Sequence, residues 1–428
     1  MTKAELTALL FKIADKTRPA LVRLIPRSVL RKIKQGMAND ILLEARPVPF
    51  ERAARPDGIN LIGPICSTVG LGQSCRLIAS AVEATDLPLE ILEFDSDKMG
   101  QHRKDFTWRE KTGDIAPYNI NLIHLNPLVF TEAYFKLGPE LWNGRYNIAF
   151  WLWELEEFPE EWRLVLNLVD EIWMPSDFAG ISVRKITDKP VRTMPYPIYA
   201  PTDASCDRAF FGLPQDKFLF LCAYDSWSIN ERKNPLGIIR AYKKAFPIEL
   251  GDCSLVLKIN HAEPDELWQL RETLGAYKNI YFICDTLTKI EMNSLIGCAD
   301  VYVSLHRAEG FGLICAEAML LGKPVVATNW SANTEFMNED VACPVDCELV
   351  ISDRNNGPYK KGARWAAPDE DQAAAYMRRL YEDESYRDAI SKRARAHISE
   401  TLSLERAARR VRGRIDEIYS EYESKASI

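Results

Sequence analysis

Short apolar segments alternate with helix-like segments along this chain of 428 residues, and the alternation restricts the fold more than any other feature. A first series runs from INLIG (59–63) to EIWMP (171–175), and a second from FLFLCAYD (218–225) to VVAT (325–328). Strands that alternate with helices form parallel sheets with helices on both faces. The sequence therefore predicts an α/β protein with two doubly wound, Rossmann-like domains that face each other across a cleft.

Domain boundaries follow from where the two series stop. We expect an N-terminal arm over residues 1–50, a first domain over 51–200 and a second domain over 201–402. The segment 195–214 is rich in proline and polar residues, as is typical of a linker. An amphipathic helix is expected over 403–428.

The N-terminal arm is basic, although the whole chain is acidic. Residues 1–36 contain nine Lys or Arg and two Asp or Glu, whereas the formal net charge of the chain is −7. Apolar residues recur in the arm at helical spacing, which is typical of helices that lie on an anionic membrane or pack on their own domain. The acidic remainder argues against nucleic acid as a partner. Without a long apolar run or a signal peptide, we expect a cytoplasmic protein, located at the inner face of the membrane if the arm binds lipid.

The segment EGFGLICAE places two carboxylates, Glu309 and Glu317, after a predicted strand. Glu309 lies in the loop at the strand's carboxyl end, and Glu317 lies about one turn into the next helix. Carboxyl ends of parallel strands carry ligand sites, so we expect both side chains to face one pocket. Ionised carboxylates accept hydrogen bonds from sugar hydroxyls, and Gly310 and Gly312 allow a ligand to approach the backbone closely.

A second glycine pair, Gly70 and Gly72, precedes a predicted helix that begins near Gln73. Free backbone N–H groups at a helix N-terminus bind anions or sugar hydroxyls. The spacing is not that of a dinucleotide-binding fingerprint. A tight turn without a ligand is the alternative explanation.

The segments EGFGL, EAM and GKPVVAT resemble the nucleotide-sugar-dependent retaining glycosyltransferases of family 4, which have the two-domain GT-B fold. The resemblance covers most of the chain from residue 59 to about 420. It implies that Glu317 holds the ribose hydroxyls of the donor and that Glu309 contacts the donor sugar. Gly310 and the backbone amides of Phe311, Gly312 and Leu313 would then line the donor sugar and diphosphate.

The segment SWSINERKNP (226–235) is expected to supply cations that stabilise the leaving diphosphate. The family usually supplies an Arg and a Lys from this loop. Here Lys233 matches the Lys, but Ser228 occupies the position of the Arg, and Arg232 is the expected substitute. A solvated helix start is the alternative.

Further site residues are implied by the resemblance. His124, at the end of NINLIHL, matches a family histidine near donor and acceptor, although a core histidine explains it equally well. Asn333 and Thr334 fall where the family loop faces the donor phosphates. Glu154 and Trp153 lie in an aromatic segment suited to binding the acceptor, or to forming a core.

We expect no metal and no cofactor besides a UDP- or GDP-linked donor. Asp95-Ser96-Asp97 resembles the DxD motif of the other large glycosyltransferase fold, but the donor motifs of that fold are missing. The resemblance also implies that the C-terminal helix packs back across the first domain.

The sequence therefore predicts a retaining, metal-independent hexosyltransferase of bacterial surface polysaccharide or glycolipid biosynthesis. The expected partners are a nucleotide-sugar donor and a saccharide or lipid-linked oligosaccharide acceptor. Two alternatives stay open. One is a GT-B nucleotide-sugar epimerase or hydrolase, and the other is a glycosyltransferase-like binding subunit, which the displaced arginine favours.

Overall fold

A computed structural model describes residue 36, residues 39–95 and residues 105–426. Most of the basic arm lies outside the described residues, and so do Ser96 and Asp97 of the DxD-like segment. Within the described part of the chain, no helix is both long enough and apolar enough to cross a bilayer.

The first domain is built on a six-stranded parallel sheet with the strand order β2-β1-β3-β4-β5-β6. Its strands are β1 Ile59–Gly63, β2 Leu89–Glu93, β3 Ile120–Ile123, β4 Tyr146–Phe150, β5 Glu171–Met174 and β6 Val191–Thr193. Its helices are α1 Gly70–Glu83, α2 Pro127–Leu137 and α3 Asp177–Arg184. The segment Glu160–Leu168 forms a 3₁₀ helix.

The second domain repeats the architecture with the strand order β12-β11-β10-β7-β8-β9, again all parallel. Its strands are β7 Phe218–Asp225, β8 Cys253–Asn260, β9 Ile280–Ile283, β10 Val301–Ser304, β11 Val325–Thr328 and β12 Cys343–Val345. Its longer helices are α4 Pro235–Ala245, α5 Pro264–Leu274, α6 Lys289–Cys298, α7 Leu313–Leu320, α8 Glu370–Glu382 and α9 Glu384–Thr401. A single helical turn, Asn230–Lys233, precedes α4. The prediction of two doubly wound parallel sheets is confirmed.

The central strands are apolar and buried because helices cover both faces of each sheet. Three buried asparagines are an exception in the first sheet. Asn60 donates to Oδ1 of Asn121 over 2.9 Å, and Asn121 donates to Oδ1 of Asn147 over 2.9 Å. This amide ladder crosses β1, β3 and β4, so a slip in strand register would leave buried polar groups without partners.

An antiparallel hairpin that was not predicted follows β12. It consists of β13 Cys347–Ile351 and β14 Arg364–Pro368. Arg364 forms a bidentate ion pair with Glu156 of the first domain, and Lys360 pairs with Glu161 at 2.8 Å. The hairpin therefore connects the second domain to the loop that follows β4.

The last helix, α10 Leu404–Ala426, packs on α1 of the first domain. Arg414 pairs with the fully buried Glu171 of β5 at 2.7 Å. The hydroxyl of Tyr419 donates to Oδ1 of Asn119 over 2.9 Å. The C-terminal helix thus packs as part of the first domain.

Candidate functional site at the carboxyl ends of the two sheets

Glu309 lies in the loop between β10 and α7, where Lys233 and Arg232 both contact its Oε1. The guanidinium of Arg232 is 3.3 Å from that oxygen, and the ammonium group of Lys233 is in direct contact with it. Burial alone would raise the pKa of the Glu309 carboxyl, but Lys233 and Arg232 lower this pKa to about 2. Glu309 is therefore ionised and compensated by two cations at neutral pH.

Arg232 is almost fully buried and connects the two domains. Its guanidinium donates to the carbonyl of Ala308 over 2.8 Å and lies 3.8 Å from Oε1 of Glu154 in the first domain. Burial by itself would lower its pKa, but Tyr359 and Glu309 raise it above the ordinary value. Arg232 is thus a permanent charge packed between domains rather than a solvated helix start.

Glu317 lies in α7, and its side chain is only 1% exposed. Its Oε1 pairs with the ammonium group of Lys289, whereas its Oε2 is buried without a hydrogen-bond partner among the described residues. Burial raises the pKa of Glu317, and Lys289 opposes that effect. The unsatisfied oxygen is an acceptor that a hydroxyl-bearing ligand would satisfy.

The loop between the two carboxylates is held against the first domain. The carbonyl of Gly310 accepts a hydrogen bond from Oγ of Ser176 over 2.8 Å, and the ring of Phe311 packs on Tyr196. A Cβ atom at Gly310 would lie 3.0 Å from the carbonyl oxygen of Trp153. Glycine lets the loops after β4 and β10 approach this closely, whereas a Cβ atom would push them slightly apart.

Gly312 caps α7 in a left-handed conformation with φ +92°, which favours glycine. Helix α7 begins at Leu313, which places Glu317 about one turn into the helix, as expected from the sequence. The first backbone N–H groups of a helix have no partner within it, and they favour negative charge. The backbone therefore supplies donors next to Glu309.

The loop after β11 packs beside Glu309, but its polar side chains form hydrogen bonds within the protein. The backbone N–H of Glu309 donates to Oγ of Ser331 over 2.9 Å. Asn333 is buried, and its Oδ1 lies 2.9 Å from Nε2 of His306. Thr334 is exposed, and its hydroxyl donates to the carbonyl of Ser331. Asn333 thus shapes this loop from within.

Gly70 and Gly72 are both in α1, which begins at Gly70 and not near Gln73. A Cβ atom at Gly72 would lie 2.1 Å from the carbonyl oxygen of Ser67, whereas a Cβ atom at Gly70 would meet nothing within 4 Å. Gly72 is thus required by close packing of the preceding loop on the helix. Gly70 is exposed at the helix N-terminus.

His124 is fully buried in the first domain. Its Nε2 lies 2.7 Å from Oγ of Ser74, and its ring stacks on Phe150. Ser74 in turn donates to the hydroxyl of Tyr196. Burial lowers the pKa of His124 to about 3, so the imidazole is neutral. The structure places its contacts in the core and not at Glu309.

Trp153 and Glu154 follow β4 and point to different surroundings. Trp153 is 3% exposed, donates to the carbonyl of Glu157 and packs against Trp162. Its ring is therefore part of the core and offers no exposed face to a sugar. Glu154 lies close to Arg232, and its Oε2 accepts a hydrogen bond from the hydroxyl of Tyr359 over 3.2 Å.

Two residues of the site were missed from the sequence. Tyr359 lies in the hairpin, whose contacts with the first domain have no local sequence signal. Lys289 pairs with Glu317 from the first position of α6, where a cation is unusual. The capping box of Thr288 and Glu291 marks this helix start in the sequence. A lysine at its first position was the signal that could have identified Lys289 as a site residue.

In the described ranges, no group of three or more His, Cys, Asp or Glu side chains is arranged to hold a metal ion. Asp95 is described and largely buried, whereas the second Asp of the DxD-like segment is not described.

Sequence comparison matches residues 207–397 to the family model described as glycosyl transferases group 1. The trehalose synthase of Rubrobacter xylanophilus is 31% identical over 135 residues, which are 29% of this chain and 31% of that protein. The D-inositol 3-phosphate glycosyltransferase of Mycobacterium bovis is 27% identical over 165 residues, which are 39% of this chain and 33% of that protein. The matches span about a third of the length of these curated relatives.

Solved structures resemble a larger part of the chain. Anabaena Alr3699/HepE, determined in complex with UDP and glucose, superposes with a TM-score of 0.62 at 14% identity, over 85% of this chain and 100% of that chain. Sucrose-phosphate synthase from Thermosynechococcus elongatus gives a TM-score of 0.61 at 14% identity, over 86% and 100%. At this identity the likeness is one of fold. The protein thus has the GT-B fold, and its second domain carries the match to glycosyl transferases group 1.

Proposed function

We propose that this protein is a glycosyltransferase that moves a hexose from a nucleoside diphosphate sugar to a hydroxyl group of a saccharide. The observation that carries the proposal is the pair of carboxylates around the loop 310–313. Glu309 is ionised beside two cations, and Glu317 has one buried oxygen without a partner among the described residues. The first suits a sugar next to a charged leaving group, and the second suits a ribose hydroxyl.

The chemistry follows from the charges at this loop. When the bond between sugar and diphosphate breaks, negative charge develops on the leaving phosphate. Lys233 and the backbone N–H groups at the start of α7 are the groups that would stabilise it. Glu309 would accept hydrogen bonds from the sugar and keep Lys233 close to the diphosphate. Closure of the domains around the donor would exclude water.

Several finer features of the function are also part of the proposal. Retention of the anomeric configuration, placement in family 4 and independence of metal and cofactor are supported by the EGFGL and EAM segments. A lipid-linked oligosaccharide is the proposed acceptor, in surface polysaccharide or glycolipid biosynthesis. The basic composition of residues 1–36 supports contact with the inner face of the cytoplasmic membrane.

A nucleotide-sugar-binding subunit without turnover is the second candidate. The burial of Arg232 favours it, because the guanidinium donates to the carbonyls of Ser228 and Ala308 and is not presented to a diphosphate. Lys233 would then be the only side-chain cation of this loop available to the leaving group. Donor binding with no product over a broad acceptor panel would support this candidate.

The first experiment is a calorimetric titration of the protein with UDP, GDP, ADP and their sugar conjugates, with and without Mg²⁺. We expect one nucleotide to bind and its affinity to fall at least tenfold in Glu317→Ala. The matched control is Glu272→Ala, which removes an exposed carboxylate from α5 of the same domain. Absence of binding to any nucleotide, or unchanged affinity in Glu317→Ala, would contradict the proposal.

The second experiment measures transfer from the sugar conjugate of the bound nucleotide to a panel of saccharides and lipid-linked saccharides. We expect a glycoside whose anomeric configuration, determined by NMR, equals that of the donor. An inverted product would contradict the retaining mechanism while leaving sugar transfer intact.

A further inference from the structure

We propose that Lys289 is a positioning residue of the nucleotide site, which occupies one oxygen of Glu317 and leaves the other for a single ligand hydroxyl. This inference rests on the proposed function and adds a residue to the same site. Lys289 would set how tightly a nucleotide binds, through the rotamer and charge of Glu317, and not whether the site exists.

The geometry divides the Glu317 carboxylate into two unequal halves. Oε1 accepts a hydrogen bond from Nζ of Lys289, and Oε2 is buried without a partner among the described residues. A carboxylate that chelates a diol uses one oxygen for each hydroxyl. With Lys289 on Oε1, Oε2 is the oxygen without a donor among the described residues, and we expect a ligand hydroxyl to donate there.

The position of Lys289 is not explained by the helix that carries it. Lys289 is the first residue of α6, which Thr288 and Glu291 already cap through a capping box. A cation in the first turn opposes the helix dipole, so this lysine does not stabilise α6. Its pairing with the buried carboxylate is the favourable contact that accounts for its presence.

The other elements around Glu317 contribute no second cation. Strands β10 and β11 read VYVS and VVAT, and the titratable residues of β10 and α7 besides Glu317 are Tyr302 and Cys315, both uncharged at neutral pH. The buried residues of α9, which also packs on α7, are apolar: Ile390, Ala394 and Ile398. In the described part of the chain, Lys289 is thus the charge that faces Glu317.

Lys289 should consequently perform two tasks. It fixes the rotamer of Glu317, and it favours the ionised carboxylate against the effect of burial. If Lys289 is removed, the pKa of Glu317 rises further. Because hydroxyls donate to the ionised form, nucleotide affinity would then begin to fall at a higher pH when the solution is acidified.

The test is a calorimetric titration with UDP, or with GDP if that is the nucleotide bound, between pH 5.5 and 8.5. The proteins are the native chain, Lys289→Met, Lys289→Arg and the control Lys244→Met. Lys244 pairs with Asp371 on the surface of the same domain, so its replacement removes the same charge elsewhere. Protonation of the nucleotide itself is common to all four proteins and cancels in the comparison.

We expect Lys289→Met to bind about tenfold more weakly at neutral pH, with its loss of affinity on acidification shifted to higher pH. Lys289→Arg should restore most of the affinity, and Lys244→Met should match the native chain. In a Glu317→Gln background, Lys289→Met should have little further effect, because the lysine acts through the carboxylate.

Two outcomes separate the role of Lys289 from the existence of the nucleotide site. Equal affinity and an equal pH profile in Lys289→Met and the native chain would overturn the role of Lys289 while leaving the nucleotide site intact. A native chain that binds no nucleoside diphosphate would overturn the proposed function and this inference together.

Discussion

The hydroxyl of Tyr359 donates to Oε2 of Glu154 over 3.2 Å and so connects the hairpin of the second domain to the loop after β4. Glu154 lies beside Arg232, which in turn contacts Glu309. Glu154, Arg232 and Glu309, which come from both domains, therefore form a row of alternating charges at the proposed site. Tyr359 donates to one end of this row. We expect substitutions in this row to have measurable effects.

Tyr359→Phe should weaken the acceptor side of the site. Loss of this hydrogen bond is expected to lower the free energy of unfolding by about 1 kcal/mol. If Glu154 contacts the acceptor, the KM for the acceptor should rise while nucleotide affinity stays unchanged. The control is Tyr199→Phe, since Tyr199 is 70% exposed. A change in nucleotide affinity without a change in acceptor KM would contradict this role.

Glu309→Gln should abolish most of the transfer activity. It removes the carboxylate that contacts both Lys233 and Arg232, and we expect kcat to fall at least about 100-fold. Nucleotide affinity, measured by calorimetry, should change much less, because the ribose is assigned to Glu317. Equal losses in kcat and nucleotide affinity would show that Glu309 serves only to hold the loop.

The stability difference between native protein and Glu309→Gln should depend on pH. The folded-state pKa of Glu309, about 2, is below its ordinary value, so its stabilising contribution is present above the ordinary pKa and is lost as the pH falls toward 2. Thermal unfolding of both proteins between pH 7 and pH 3 measures this. A difference that grows on acidification would contradict the ion-pair assignment.

Arg414→Met should destabilise the packing of α10 on the first domain. Arg414 and Glu171 are almost fully buried, and removal of one partner from a buried ion pair is expected to cost about 3–5 kcal/mol. The matched control, Arg412→Met, breaks the exposed pair with Asp416 and should cost less than about 1 kcal/mol. Denaturant unfolding separates the two, and similar losses would contradict the assignment.

Alanine substitution should lower the stability of the protein at Gly72 but not at Gly70. In Gly72→Ala, the new Cβ atom would clash with the carbonyl oxygen of Ser67, so the loop before α1 must move and the protein should lose stability. Gly70→Ala adds a better helix former in open space and should be neutral or stabilising by up to about 1 kcal/mol. Thermal midpoints of both variants provide the test.

The fold could be predicted from the sequence because strand and helix periodicity is local. Both sheets, the loop of Glu309 and the helix of Glu317 were located from apolar segments and the residues that follow them. The hairpin β13–β14 was not predicted, because its strands are half exposed and their pattern resembles that of a loop. Local sequence patterns also could not predict the surroundings of individual side chains, as the core positions of Trp153 and His124 illustrate.

Local sequence patterns were enough to predict the two-domain α/β architecture. They also located the two carboxylates and the cation pair Arg232 and Lys233. Which side chains contact each other at the site depends on the tertiary structure. Lys289 and Glu317 are 28 positions apart, and Tyr359 and Glu154 are 205 apart. Their proximity depends on strand order and on the docking of one domain against the other. Those are properties of the whole packed chain, because burial and charge compensation are settled by residues distant in sequence.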